Sequence, residues 1–271
     1  MKPVPILPPR SALYLPASNA RAIEKARGLS ADMIILDLED AVKPEDKLLA
    51  RDAAVAATAE GFGERIVAIR INASGSDWYD ADVAAVRASA ADFVVVPKVE
   101  DAAVIAALAS KLGKPVLAMV ETPLAILDAP AIARATGVAG LITGTNDLAT
   151  ELRLPPHSGR VSMAVALQMI VLSARAAGVW ALDGVFNGLE DPAGLAAECA
   201  EGRGLGFDGK TLIHPNQIEA TNLAWSPTPA ERAEAEALIA AAKGGAERYQ
   251  GRMIETMHVD AARRLLARTQ A

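Results

Sequence analysis

Short apolar runs alternate with longer, Ala-rich amphipathic stretches along the whole chain. The runs lie at residues 12–15, 33–38, 66–71, 93–96, 116–120, 141–143, 181–185 and 210–213. They are rich in β-branched residues and mostly lack an alternating polar face, as expected of parallel strands covered on both sides. Eight such runs with helix-length spacers read as repeated βα units and predict a TIM (β/α)8 barrel over residues 1–225. A doubly wound open sheet would carry a Gly-rich turn after its first strand, but that turn here reads LPASNAR. Further on, Thr228-Pro229-Ala230-Glu231 forms a capping box with Pro at the first helical position. It opens a helix predicted to end near Gly244-Gly245, followed by a loop and a basic terminal helix. Residues 226–271 therefore read as a helical arm or lid beyond a closed barrel.

Polar residues gather where such a barrel keeps its chemistry, just after the strands. Asp37, Glu39 and Asp40 follow the second run, Arg70 and Asn72 end the third, Lys98 and Glu100 follow the fourth, and Asp183 and Asn187 the seventh. Glu121 and Asp147 end the fifth and sixth. Two strands stopping at carboxylates on one rim could bridge a hard divalent cation through oxygen ligands and water, a magnesium site. The plainer reading is that Glu121 precedes a Thr-Pro helix start and Asn146-Asp147 is a turn or cap. Arg70 would point a guanidinium fork into the same mouth and pair with a substrate carboxylate, its structural alternative being an ion pair with Asp37 or Glu39. A cation, acids and one arginine suit carbon–carbon bond cleavage or formation beside a carbonyl. Lys98 reads as electrostatic rather than as a Schiff-base nucleophile, and His157, His214 and His258 compose no Ser-His-Asp relay.

Composition narrows the partners. The 271 residues include 27 Lys and Arg against 33 Asp and Glu, a net charge of −6, so no broad basic surface for nucleic acid is expected. The single cysteine, Cys199, lies in an Ala-rich stretch and reads as a small core residue compatible with a reducing cytoplasm. MKPVPILPPR is interrupted by prolines and reads as a short ordered lead-in rather than a leader, and no uncharged stretch long enough for a bilayer is apparent. Arg10, Arg21, Lys25, Lys47 and Arg51, near the first two runs, form a local basic group that could meet the phosphates of a coenzyme A thioester, or else ordinary solvated helix faces.

SALYLPASNARAIEKA, MIILDLEDAVKPEDKLLAR, VAIRIN, VVVPKVE, ETP, GTNDLA and KTLIHPNQI, in that order over almost the whole chain, resemble the citrate lyase β-subunit-like branch of the HpcH/HpaI aldolase family. The resemblance implies a TIM barrel forming homotrimers or hexamers, with Mg²⁺ held by Glu121 and Asp147 and a substrate carboxylate on Arg70. It places Tyr14, Arg21, Lys25, Ile213 and His214 on the substrate or thioester side, with Lys25 and Arg51 toward coenzyme A and Glu39 and Asp40 fixing the waters of the metal. The implied activity is a Mg²⁺-dependent lyase, or Claisen-type synthase, acting on a malyl-, citramalyl- or citryl-coenzyme A thioester and giving acetyl- or propionyl-coenzyme A and a 2-oxo acid. An aldolase on free 2-oxo acids, or a non-catalytic component binding an oxo acid or acyl carrier, are the alternatives. One departure stands out: where family lyases carry a Met-Ile-Asp-like triplet whose aspartate reaches a neighbouring subunit as an acid/base, this chain reads Met253-Ile254-Glu255. The chain also reads as short for the family, so a shortened lid is expected.

Overall fold

The computed structural model describes residues 7–156 and 158–268; the lead-in at 1–6 and His157 lie outside them. Eight parallel strands close into a barrel: β1 (Ser11–Pro16), β2 (Met33–Asp37), β3 (Ile66–Arg70), β4 (Phe93–Val96), β5 (Val116–Val120), β6 (Val138–Thr143), β7 (Trp180–Asp183) and β8 (Gly209–Leu212). Closure is made by β8 against β1, with Ser11 opposite Lys210. Helices α1 (Ala20–Ala26), α2 (Lys47–Glu60), α3 (Tyr79–Ala88), α4 (Ala102–Leu112), α5 (Pro123–Arg134), α6 (Thr145–Glu151), α7 (Ala164–Ala177), α8 (Pro192–Leu205) and α9 (Ile218–Trp225) follow the strands.

The apolar runs divide into two cores because successive strand side chains point to opposite faces. Met33, Ile35, Ala68, Phe93, Val95, Leu117, Met119, Ile142 and Leu182 fill the barrel interior. Their neighbours Ile34, Leu36, Ile69, Val94, Val96 and Ala118 face the helical layer. Within the interior, the Phe93 and Trp180 rings lie 5.1 Å apart between centroids, so this is a packed core rather than a pore.

Strand six starts three residues before the predicted run. Its register against β5 shifts between Val116 and Leu117, whose partners are Val138 and Gly140. That irregularity, with a glycine in the strand, hides its first turn of sequence from a hydrophobic pattern. The stretch Arg160–Ala177 has the length and apolarity of a membrane span, with mean hydropathy 1.3. In the fold its Leu167, Ile170, Val171 and Ala174 are buried in the layer around the barrel.

Beyond α9, α10 (Pro229–Ala241) begins at the expected capping box, with Thr228 and Glu231 bonded reciprocally. The segment expected as loop is a hairpin, β9 (Glu247–Tyr249) with β10 (Arg252–Ile254), leading into α11 (Thr256–Ala267). Ala235, Leu238, Ile254 and Ala262 form a small core of their own, separate from the two barrel cores. Arg203 of α8 paired with Glu231, and Arg268 bonded to the carbonyls of Asp208 and Trp225, hold the arm to the barrel.

Candidate active site at the carboxyl end of the barrel

The two-residue period that fills the barrel interior also decides which side chains line its mouth. Ala12 faces inward, and so Tyr14 does. Met33 and Ile35 lead to Asp37, Ala68 leads to Arg70, and Leu117 and Met119 lead to Glu121. Tyr14, Asp37, Arg70, Met119 and Glu121, with Asp40, Gly144, Thr145, Asn146, Asp147, Val185, Thr211 and Ile213, line a cavity of about 310 Å³. Both carboxylates expected at one rim are therefore in one cavity with the arginine, despite their separation in sequence.

Glu121 is 1% exposed. Its Oε1 accepts the backbone N–H of Lys98 at 2.7 Å, an amide presented by a left-handed turn with φ +49° at Lys98. Its Oε2 is buried and has no hydrogen-bond partner. A buried carboxylate oxygen without a donor is costly, and it belongs to a residue that lines the same cavity as Asp147. Burial pushes the Glu121 carboxyl up to about 7, against the Lys98 N–H and with Asp147 adding to the rise. Gly144 makes the approach possible: a Cβ there would sit 2.2 Å from Oε2 of Glu121. Asp147 lies in the first turn of α6, so the turn-and-cap reading describes its backbone while its side chain still lines the cavity.

This donor set fits a divalent cation. Glu121 brings a free, buried oxygen and Asp147 a second carboxylate. Among the described residues no group of three or more His, Cys, Asp or Glu side chains forms a closed cage. Two carboxylates completed by water or substrate oxygens are what Mg²⁺ ordinarily takes.

Arg70 makes the ion pairs of its structural alternative and also lines the cavity. Asp37 is its register partner on the adjacent strand and accepts from Nε at 2.7 Å and Nη2 at 2.6 Å. Nη1 lies 3.0 Å from Glu39, and the guanidinium stacks 4.8 Å from the centre of the Tyr14 ring. Asp37, itself held by the N–H groups of Glu39 and Ala41, thus orients the fork while Arg70 still lines the cavity. Burial opposes the charge of Arg70, but the Asp37 pair outweighs it and the guanidinium is held above its usual range. Burial pushes the Glu39 carboxyl up to about 8, with Arg70 pulling the other way, and it pushes the Tyr14 phenol above its usual value.

The other expected site residues separate. Ile213 lines the cavity. His214 is exposed outside it and caps the short turn Pro215–Gln217, with Nδ1 accepting from the Asn216 N–H. Arg21 and Lys25 are exposed on α1, just after β1. The basic group otherwise dissolves. Arg51 is buried between α2 and α3, with Nε 2.7 Å from Asp82, so its expected contact with coenzyme A is corrected: that guanidinium is occupied inside the helical layer. Lys47 is buried too, donating to the carbonyls of Leu38 and Glu39 and to Asn72. Arg10 precedes β1, on the opposite rim, and pairs with Asp32. Glu255 is the exposed N-cap of α11, bonded reciprocally with His258, and lines a groove made by the arm alone rather than the barrel mouth.

Sequence reasoning overlooked Gln217. It is 2% exposed, its Oε1 accepts the N–H groups of Ile213 and His214, and its Nε2 donates to the Phe186 carbonyl. One amide therefore ties the loop after β8 to the loop after β7. The only local signal was a Gln three residues after His214, the spacing of a capping box. Lys98 and Gly144 were also missed in their actual roles, because both act on Glu121 through backbone geometry.

The model of the HpcH/HpaI aldolase/citrate lyase family matches residues 10–215. A (3S)-malyl-CoA thioesterase of Cereibacter sphaeroides is 43% identical over 274 residues, covering 97% of this chain and 95% of that protein. That coverage corrects the expectation of a chain short for its family. The citrate lyase subunit beta of Escherichia coli is 31% identical over 96% of this chain and 93% of its own. Among solved structures, protein CitE of Mycobacterium tuberculosis in complex with magnesium, acetoacetate and coenzyme A superposes with a TM-score of 0.85 at 30% identity, covering 99% of this chain and 100% of that one. A citrate lyase beta subunit from the same organism, complexed with oxaloacetate and magnesium, gives 0.71 at 32% identity over 80% and 97% of the two chains. Fold, strand-end chemistry and these relatives agree: the chain belongs to the HpcH/HpaI aldolase/citrate lyase family.

Proposed function

We propose that the barrel mouth catalyses Mg²⁺-dependent cleavage, or the reverse condensation, of a carbon–carbon bond in a hydroxyacyl-coenzyme A thioester of the malyl, citramalyl or citryl type. The products are acetyl- or propionyl-coenzyme A and a 2-oxo acid. The observation that carries this reading is the partnerless Oε2 of buried Glu121, beside Asp147 in a cavity that Arg70 also lines. Glu121 and Asp147 would hold Mg²⁺, which supplies a Lewis acid beside the reacting carbonyl. Arg70, fixed by Asp37, receives a substrate carboxylate or the charge that develops on an oxygen. Met119, Val185 and Ile213 give the apolar part of the lining and limit access of bulk water. The exposed Arg21 and Lys25 sit where a thioester's phosphates could approach from solvent.

A second reading is thioester hydrolysis, favoured by the 43% identity with a malyl-coenzyme A thioesterase. The two differ in their products. With malyl-coenzyme A and Mg²⁺, bond cleavage releases glyoxylate and acetyl-coenzyme A without free thiol, whereas hydrolysis releases malate and free coenzyme A. Glyoxylate without matching thiol supports the lyase. Thiol without glyoxylate replaces it with the hydrolase. No turnover of malyl-, citramalyl- or citryl-coenzyme A above an Arg70→Ala control removes both.

We also infer a cytoplasmic, trimer-based assembly. Leu124 and Leu127 of α5 and Val161, Val165 and Leu172 in and before the adjoining α7 are 50–79% exposed, an apolar face larger than scattered surface residues explain. Sedimentation equilibrium should give a multiple of three chains, and Val165→Glu should lower that mass; a wild-type monomer at micromolar concentration would contradict the assembly.

A further inference from the structure

At the amino-terminal end of the barrel, opposite the mouth, the last turn of α11 leaves a cleft of about 550 Å³ against the ends of α7 and α8 and the loop before β8. Its walls bring together Arg175, Arg203, Arg264 and Arg268 around one carboxylate, Asp208. Such a concentration of guanidiniums is unexpected on a chain of net charge −6. Two of the four are engaged within the cleft. Arg175 pairs with Asp208 and donates to the Gly206 carbonyl, and Arg268 donates to the carbonyls of Asp208 and Trp225. Arg203 bonds Glu231 through one nitrogen. The Arg264 side chain makes no hydrogen bond or ion pair among the described residues.

The carboxyl ends of helices attract cations, and all four arginines lie at the carboxyl ends of α7, α8 or α11. That explains Arg175 and Arg268, whose donors reach backbone carbonyls. It leaves Arg264 and the remaining donors of Arg203 on the wall of an open cleft that Phe207, Trp225, Pro227 and Leu265 also line. Among the described residues, these four guanidiniums against the carboxylates of Asp208 and Glu231 leave two positive charges over. Burial, with lesser help from Arg175, Arg203 and Arg10, outweighs Asp208 and lowers the Arg268 guanidinium below its usual range.

We propose that this cleft is an anion site for a tetrahedral oxydianion, inorganic phosphate or the phosphoryl group of a phosphomonoester, held by Arg203 and Arg264, with Arg268 adding its charge from its pair with Asp208. Guanidinium forks match phosphate oxygens in geometry, and a dianion balances the two uncompensated charges. A bound ion would also bridge α11 to α8, fastening the arm to the barrel it follows.

The test is a calorimetric titration of the full chain with sodium phosphate, in chelator-containing buffer at an ionic strength held constant with sodium chloride. Glycerol 3-phosphate and malonate serve as parallel probes. One-to-one phosphate binding with a dissociation constant on the order of 1 mM or tighter is expected. Arg264→Gln should weaken it by about tenfold or more, and Arg264→Lys should recover part of the loss. Asp147→Ala, at the other end of the barrel, should leave it unchanged. Glycerol 3-phosphate binding more tightly than phosphate would identify the source as a phosphorylated metabolite, and the reverse would identify the free ion. Phosphate heats no larger than those of chloride, wild-type affinity in Arg264→Gln, or malonate binding more tightly than phosphate would each overturn the assignment. Arg264 is exposed, so its substitution leaves the fold in place, as circular dichroism would verify.

Discussion

The barrel mouth is shaped by how a single carboxylate is held. Glu121 is gripped at one oxygen by the Lys98 N–H and left bare at the other, which is costly in a protein interior unless something positive completes it. Asp147→Ala should abolish Mg²⁺-dependent binding of oxaloacetate while leaving the circular dichroism spectrum unchanged; full binding in the absence of metal would contradict the role. Gly144→Ala tests the same oxygen from the other side. A methyl there would overlap Oε2 and Cβ of Glu121, so it should destabilise the chain by about 1–3 kcal/mol and weaken Mg²⁺ affinity together with it. Wild-type affinity in that variant would show that the close approach does not matter. Sequence identified the two acids and the arginine because each ends an apolar run. It could not identify Lys98 or Gly144, whose contributions are a backbone amide and the absence of a side chain, nor Gln217, whose partners lie on two different loops.

At the scale of elements, most of the barrel was legible because a strand buried on both sides is a continuous apolar run, and two such strands differ little in pattern. β4 and β5 agree with their predicted limits to the residue; β6 does not, because its irregular start is marked by a glycine rather than by apolar residues. The misjudged element is α2. Lys47 and Arg51 look like a solvated basic face, yet both turn inward, where Arg51 meets Asp82 and Lys47 three oxygen acceptors. Breaking the buried pair by Arg51→Ala should cost about 3–5 kcal/mol of stability, read from chemical denaturation. The KM for a coenzyme A thioester should stay unchanged, and a selective rise in KM without loss of stability would restore the cofactor role. The hairpin of the arm was also hidden. Its turn, Gln250-Gly251, takes positive φ at both positions, as tight hairpin turns require. Gly251→Val should cost about 1–2 kcal/mol and speed proteolysis within residues 245–256 while the barrel stays protected.

For the molecule as a whole, two bodies of apolar packing are joined end to end: a closed barrel with its helical jacket, and an arm with its own small core. The arm's Glu255 stands apart from the mouth of its own barrel. Under the proposed trimer-based assembly, that carboxylate would act at the mouth of another copy of the chain, and Glu255→Asp placed on an inactive Asp147→Ala copy should raise kcat in a mixed oligomer with the wild-type chain. The most direct check on the metal site is anomalous diffraction from crystals soaked in Mn²⁺, which substitutes for Mg²⁺ at oxygen sites. One peak in the barrel mouth, within about 2.0–2.3 Å of a Glu121 oxygen and an Asp147 oxygen, is the expected result. Strong peaks only elsewhere, with both carboxylates unchanged, would contradict it.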